Sequence, residues 1–154
     1  MKRLSNILPP VAGLAMLAAM LPCAAQPQQV PLKDKPFAEH KIVLQLSDND
    51  PKKQALTLSV ANNLLKYYGP DRIAIEIVTF GPGIDLVRAG NANRAQVDSL
   101  ISQGVQFDIC MNTVDTIERE TGKKVDLNPR AVQVVAGVAQ ILALTEKSFT
   151  LVRP

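Results

Sequence analysis

Aromatic residues and charge of one sign are both scarce in this sequence of 154 residues. There is no tryptophan, and the two tyrosines and four phenylalanines make up only 4% of the chain. The 17 basic residues nearly balance the 14 acidic ones, and two of the basic residues, Lys2 and Arg3, lie in a predicted export signal. Surfaces that bind nucleic acids usually combine clustered positive charge with aromatic side chains on which bases stack. We therefore expect no nucleic-acid partner.

Cysteine and histidine are also rare, with two cysteines and one histidine in the whole chain. Removal of the predicted signal takes Cys23 away and leaves Cys110 as the last thiol. No intramolecular disulfide can then form, although an exported protein meets oxidising conditions. His40 and Cys110 are the remaining soft ligands, whereas a structural zinc site needs four. The sequence therefore predicts no metal site, and we expect no cofactor.

No apolar run is long enough to span a membrane, although the amino terminus is hydrophobic. Residues 7–22 are largely apolar, but two prolines interrupt them and they fall short of the roughly 20 residues that a spanning helix needs. Basic residues precede this run, and the small residues Cys23-Ala24-Ala25 follow it. Residues 1–25 are therefore predicted to be a cleaved signal peptide, which makes the protein periplasmic or secreted with no membrane attachment. A lipoprotein linked through Cys23 is disfavoured because Pro22 precedes it.

The rest of the chain is predicted to be a short arm and one domain. Residues 26–39 contain three prolines among polar residues and are expected to be an extended arm or linker. Residues 40–154 suffice for one domain with one hydrophobic core. Apolar periodicity predicts strands at about residues 40–46, 72–80, 105–110, 131–135 and 149–152, with helices between them. Because strands and helices alternate through short loops, the pattern indicates an α/β fold with a parallel sheet covered on both faces.

Cys110 stands where the third predicted strand ends and a predicted helix begins. Asn112 and Thr113 follow it and are residues that can cap a helix. A thiol at this junction faces unpaired backbone N–H groups, which favour the thiolate over the thiol. A lone cysteine is also often a small buried packing residue. Both interpretations of Cys110 remain open from the sequence.

Two further loops are expected at the same edge of the sheet as Cys110, because the carboxyl ends of parallel strands share one edge. The first follows the first strand and begins at Ser47. The second is the turn Gly81-Pro82-Gly83 after the second strand, whose glycines Gly81 and Gly83 let a ligand approach backbone N–H groups. This turn lacks the spacing of a dinucleotide or P-loop motif, so a plain turn is the alternative.

Four segments in this order resemble the DsrE/DsrF-like family of sulfur-relay proteins, and specifically its small exported members. They are residues 43–47 (VLQLS), 78–83 (VTFGPG), 104–110 (GVQFDIC) and 135–138 (VAGV). The resemblance covers residues 40–154 and implies a three-layer α/β/α sandwich with a five-stranded parallel sheet, assembled as a homo-oligomer, a trimer or hexamer. Cytoplasmic carriers of the family hold sulfur as a persulfide on a cysteine that Cys110 matches in position. They continue with an alanine-rich segment and an Arg-Gly pair, where this chain has residues 111–115 (MNTVD).

The resemblance implies a thiol-based sulfur carrier with Cys110 as nucleophile and with a sulfur donor or acceptor protein as partner. Asn112 and Thr113 would then orient the sulfur, beside a binding edge formed by Ser47, Gly81 and Gly83. The alternative is a non-catalytic module that binds a small ligand or assembles into oligomers, with Cys110 buried as packing. A thiol or peroxide sensor is a third hypothesis. We expect a carrier or binding protein rather than a turnover enzyme.

Overall fold

The computed structural model describes residue 35 and residues 37–154, which form a sheet of five parallel strands. The predicted signal (residues 1–25) and most of the predicted arm (residues 26–39) lie outside the described residues. Across the sheet the strands follow the order β4-β3-β2-β1-β5. Their bounds are β1 His40–Leu46, β2 Ile73–Thr79, β3 Gln106–Cys110, β4 Val132–Val134 and β5 Thr150–Val152.

Helices cover both faces of this sheet, which confirms the predicted α/β/α sandwich. Three helices follow β1, β2 and β3 in turn and pack on one face: α1 Pro51–Tyr68, α2 Arg94–Ser102 and α3 Met111–Thr121. The fourth, α4 Gly137–Glu146, packs Ile141 and Leu144 against the opposite face. Because the side chains of a strand alternate between faces, β3 sends Phe107 and Ile109 into the larger core under α1–α3.

The structure of α1 shows how local sequence sets an element. The side chain of Asp50 accepts a hydrogen bond from the backbone N–H of Lys52 (2.8 Å), and Pro51 occupies the first position of the helix. Both features favour a helix start. The helix ends at Gly69, whose φ of 86° lies in the region that glycine adopts without strain.

The segment after β2 is more regular than the sequence indicated. The predicted turn at Gly81 is the start of a 3-10 helix, Gly81–Val87, which buries Ile84, Leu86 and Val87. The strands at the two sheet edges, β4 and β5, are shorter than predicted. Just beyond β4, the carbonyl of Val135 accepts a hydrogen bond from the backbone N–H of Asn112, which is already in the first turn of α3. No helix in the described part of the chain is long and apolar enough to cross a membrane.

Candidate functional site

Cys110 is the last residue of β3 and immediately precedes α3, as the sequence predicted. It is the free cysteine of the described residues, and 6% of its surface is exposed. Its side chain lies on the α4 face of the sheet, where the Cα of Gly137 approaches it. The thiol is therefore enclosed between the amino ends of α3 and α4 and has little contact with solvent.

Hydrogen-bond donors around the sulfur favour its ionised form. Burial raises the pKa of the Cys110 thiol, but donors around the sulfur act in the opposite direction. They are the hydroxyl of Thr113 and the backbone N–H groups of Gly137 and Thr113, with a smaller effect from the backbone N–H of Asn112, which also donates to the carbonyl of Val135. Together they outweigh burial and hold the pKa of Cys110 below its usual value. A thiolate in this setting is both a nucleophile and a hydrogen-bond acceptor.

Thr113 connects the sulfur to the segment after β2. Its hydroxyl oxygen accepts a hydrogen bond from the backbone N–H of Gly81 at 3.0 Å. With an acceptor position used in this way, the hydroxyl hydrogen is available for the sulfur of Cys110. Gly81 has a φ of 53°, which lets the chain turn sharply enough to aim this N–H at Thr113. The structure therefore brings together three residues that sequence reasoning had proposed for the site.

Gly137, the first residue of α4, is a contact of Cys110 that sequence reasoning missed. A Cβ atom at this position would lie 3.3 Å from the Cβ of Cys110 and 3.1 Å from the Cβ of Phe80. Such distances are tight, so a larger residue would push α4 away from the sulfur. The sequence did show a glycine between a predicted strand and a predicted helix, which can indicate a close contact. Its role could not be derived because α4 reaches Cys110 only by crossing to the other face of the sheet.

The remaining predicted site residues lie around the same edge but do not contact the sulfur through their side chains. Asn112 is exposed and lines a shallow depression of about 420 Å³ together with Gly81, Pro82, Thr113, Thr116 and Ile117. Gly83 is buried, and a Cβ there would lie 2.3 Å from the carbonyl oxygen of Leu46 and 3.0 Å from the Cα of Ser47. Close packing against the end of β1 thus explains why a glycine occupies position 83.

A pair of buried carboxyl groups lies on the same face as Cys110. Glu76 of β2 is 1% exposed and Asp108 of β3 is 0% exposed. The side-chain amide of Gln140 in α4 donates to Glu76 Oε2 and to Asp108 Oδ2 at 3.3 Å each. Gln106 donates to the other oxygen of Asp108 at 2.8 Å. The Gln140 amide thus provides a polar contact between α4 and the sheet next to Cys110.

The two carboxyl groups hold a proton at neutral pH. Burial, together with the charge of Asp108 and a hydrogen bond to it, raises the pKa of Glu76 to about 9. Burial also raises the pKa of Asp108. A protonated Glu76 can donate to the carboxylate of Asp108, so the pair carries less than its full negative charge. The Asp108 side chain points inward beneath α4.

Neither a metal centre nor a Cys–His pair emerges from these residues. Among the described residues, no group of three or more histidine, cysteine, aspartate or glutamate side chains is arranged to hold a metal ion. His40 begins β1, and its ring stacks at 4.1 Å from that of Tyr68. What the arrangement offers chemically is a thiol whose pKa is lowered by nearby hydrogen-bond donors.

Comparison with known protein families finds none that matches this sequence, and comparison with curated proteins finds no match. A solved structure with a similar fold is that of MTH1491, a protein of unknown function from Methanobacterium thermoautotrophicum. The TM-score is 0.67 at 26% sequence identity, and the match covers 75% of this chain and 100% of that one. This similarity supports the α/β fold and carries no activity with it.

Proposed function

We propose that this protein is an exported sulfur carrier that holds sulfur as a persulfide on Cys110. The observation that supports this function best is the set of donors aimed at one sulfur atom. Two helix amino termini and the Thr113 hydroxyl surround Cys110 and lower its pKa despite burial. A cysteine that only filled space would gain nothing from such donors, because a neutral thiol is a weak acceptor.

The proposed step is a sulfur transfer without net oxidation or reduction. The thiolate of Cys110 attacks the outer sulfur of a donor persulfide and forms a new S–S bond with it. The S–S bond of the donor breaks, and its electron pair leaves with the donor's inner sulfur as a thiolate. A later acceptor thiolate attacks the carried sulfur in the same way and regenerates Cys110. The depression beside Thr113 is the side from which a donor would approach.

Partners and location belong to the same proposal. The predicted signal peptide puts the carrier in the periplasm or outside the cell, where its donor or acceptor protein would also be. A homo-oligomer is favoured by exposed apolar side chains in α4 and at the position two residues before it. Val135, Val138 and Leu142 are 66%, 64% and 59% exposed, which is unusual for side chains of this size on a single stretch of surface.

The test uses glutathione persulfide as donor and intact mass as readout. The exported protein should gain the mass of one sulfur atom and lose it again when a thiol acceptor is added. Cys110→Ser should gain nothing, because it removes the nucleophile and leaves the surrounding donors in place. A second candidate function, a binding or assembly module with Cys110 as packing, is favoured by the 6% exposure of this residue. An unchanged mass, with alkylation of Cys110 only after unfolding, would contradict the carrier and support that module.

A further inference from the structure

A cleft of about 760 Å³, lined by both polar and apolar side chains, lies at the carboxyl edge of the sheet, on the face covered by α1, α2 and α3. It is bounded by the start of α1, the 3-10 helix and the loop that follows it, and the end of α3. We propose that this cleft binds a small polar molecule through a carboxylate or phosphate group, with Arg88 as the anchoring residue. Its volume is within the range of small-molecule sites in proteins.

One wall of the cleft is a buried network of carboxamides. Gln54, in the first turns of α1, is 3% exposed and donates to Asp85 Oδ2 at 3.1 Å. Its carbonyl oxygen accepts from the side-chain amides of Asn91 and Asn93, each at 3.3 Å. Asn91 also donates to the carbonyl and to Oδ2 of Asp85. Because each of these groups is held by another, the wall is fixed before any ligand arrives, which reduces the entropy lost on binding.

Arg88 is the cleft residue whose hydrogen bonding is incomplete. Its Nε is buried yet has no hydrogen-bond partner. The nearest carboxylate oxygen, Asp85 Oδ1, is 3.8 Å away, which is an ion-pair distance and too long for a hydrogen bond. The second oxygen of Asp85 is already occupied by Gln54 and Asn91. A guanidinium group presents a planar fork of donors, and a carboxylate or phosphate accepts from that fork in a bidentate manner.

The charges around the cleft favour an anion at the Arg88 side. Arg88 and Lys123 contribute positive charge, Lys124 is already paired with Glu118, and Asp85 and Asp126 contribute negative charge. The start of α1 offers a weaker attraction because the Asp50 side chain already caps it. An anionic group is therefore drawn to Arg88 and Lys123, while the amide wall presents polar atoms to the rest of the ligand.

The cleft is separate from the sulfur site but shares one side chain with it. Ile117 of α3 lines both the cleft and the depression beside Thr113. The cleft contains no atom of Cys110, so binding there does not depend on the proposed sulfur chemistry. Cys110→Ser should consequently bind the same ligands as the wild type, which distinguishes failure of this proposal from failure of the carrier function.

The experiment is a titration of isotopically labelled protein with inorganic phosphate, glycerol 3-phosphate, succinate and citrate, with glycerol as the neutral reference. Binding is followed by NMR shifts of the side-chain amides of Asn91 and Asn93 and of the Arg88 Nε–H. We expect saturable shifts with at least one anion and none with glycerol. Which anion responds shows whether the cleft binds a phosphate or a carboxylate group. No saturation with any anion, or saturation with glycerol, would overturn the proposal.

Arg88→Gln is the decisive variant, and Arg153→Gln is its matched control. The side chain of Arg88 makes no short hydrogen bond to the rest of the protein, so its replacement should leave the fold intact, which the remaining NMR spectrum verifies. Loss of a bidentate, charge-assisted contact should weaken binding by about tenfold or more. Arg153 is exposed at the carboxyl terminus, outside the cleft, and its change should leave the affinity as in the wild type. Equal affinity of the Arg88 and Arg153 variants would refute the role of Arg88.

Discussion

The wild type should lose stability as pH rises from about 5 to 9, and replacing Glu76 by glutamine should remove most of that loss. Glu76 lies in the middle of β2, where all seven residues are buried; its partner in the strand register is Gln106, and Asp108 is its diagonal neighbour on β3. Its pKa is raised to about 9 by burial and by Asp108. A glutamine has nearly the same shape, can donate to Asp108 as the protonated glutamate does, and cannot ionise.

The size and sign of the effect follow from the two pKa values of Glu76. The unfolded chain releases this proton near pH 4.5, whereas the folded protein keeps it up to about pH 9. The contribution of Glu76 to stability is therefore fully present below the unfolded pKa of 4.5. It falls as pH rises above that value and is lost once pH passes the folded pKa of about 9. At about 1.4 kcal/mol per pH unit, the loss is roughly 3 kcal/mol by pH 7 and at most about 6 kcal/mol by pH 9. Either value is a large part of the stability of a small domain.

Urea unfolding at about pH 5, 7 and 9 measures this loss directly. The wild type should lose free energy of unfolding across the series, and Glu76→Gln should lose much less. Glu120→Gln makes the same chemical change at an exposed position of α3 and should follow the wild type. The ionisation of Cys110 contributes equally to all three proteins and cancels in the comparison. A wild type with constant stability, or a Glu120 variant that behaves like the Glu76 variant, would refute the reasoning.

Two further predictions concern packing and assembly. Gly83→Ala should lower the free energy of unfolding by about 1–3 kcal/mol or more, because the new Cβ would lie 2.3 Å from a backbone oxygen of β1. Gly90→Ala, where a Cβ meets no atom within 4 Å, should unfold like the wild type, and equal losses would contradict the packing explanation. Val138→Asp combined with Leu142→Asp should shift light scattering at micromolar concentration from an oligomer to a monomer. Tyr67→Asp, at an exposed residue of α1, should leave the oligomer unchanged. A monomeric wild type would rule out the proposed assembly.

The fold was predictable because its signal is local. Apolar runs such as β2 and the capped start of α1 at Asp50 can be recognised within a few residues. Once strands and helices alternate, the geometry of parallel sheets places Cys110, Thr113 and Gly81 at one edge. The structure connects these residues through the hydroxyl of Thr113.

The missed features depend on contacts between residues far apart in the chain. Gly137 reaches Cys110 because α4 crosses to the opposite face, and the sequence did not show which helix lies there. Gln140 spans Glu76 and Asp108, which belong to two different strands. A glutamate inside the apolar strand β2 was the visible sign that a buried partner must exist. The strand pattern alone could not identify that partner.

The measurement that tests the central claim most directly is the rate of Cys110 alkylation in the folded protein as a function of pH. The wild type should react with a midpoint below the value of about 8.5 for a free thiol. Thr113→Val removes the hydroxyl donor and should raise the midpoint, whereas Thr113→Ser keeps the donor and should restore it. A wild-type midpoint at or above that of a free thiol, or reaction only after unfolding, would contradict the account and leave Cys110 a packing residue.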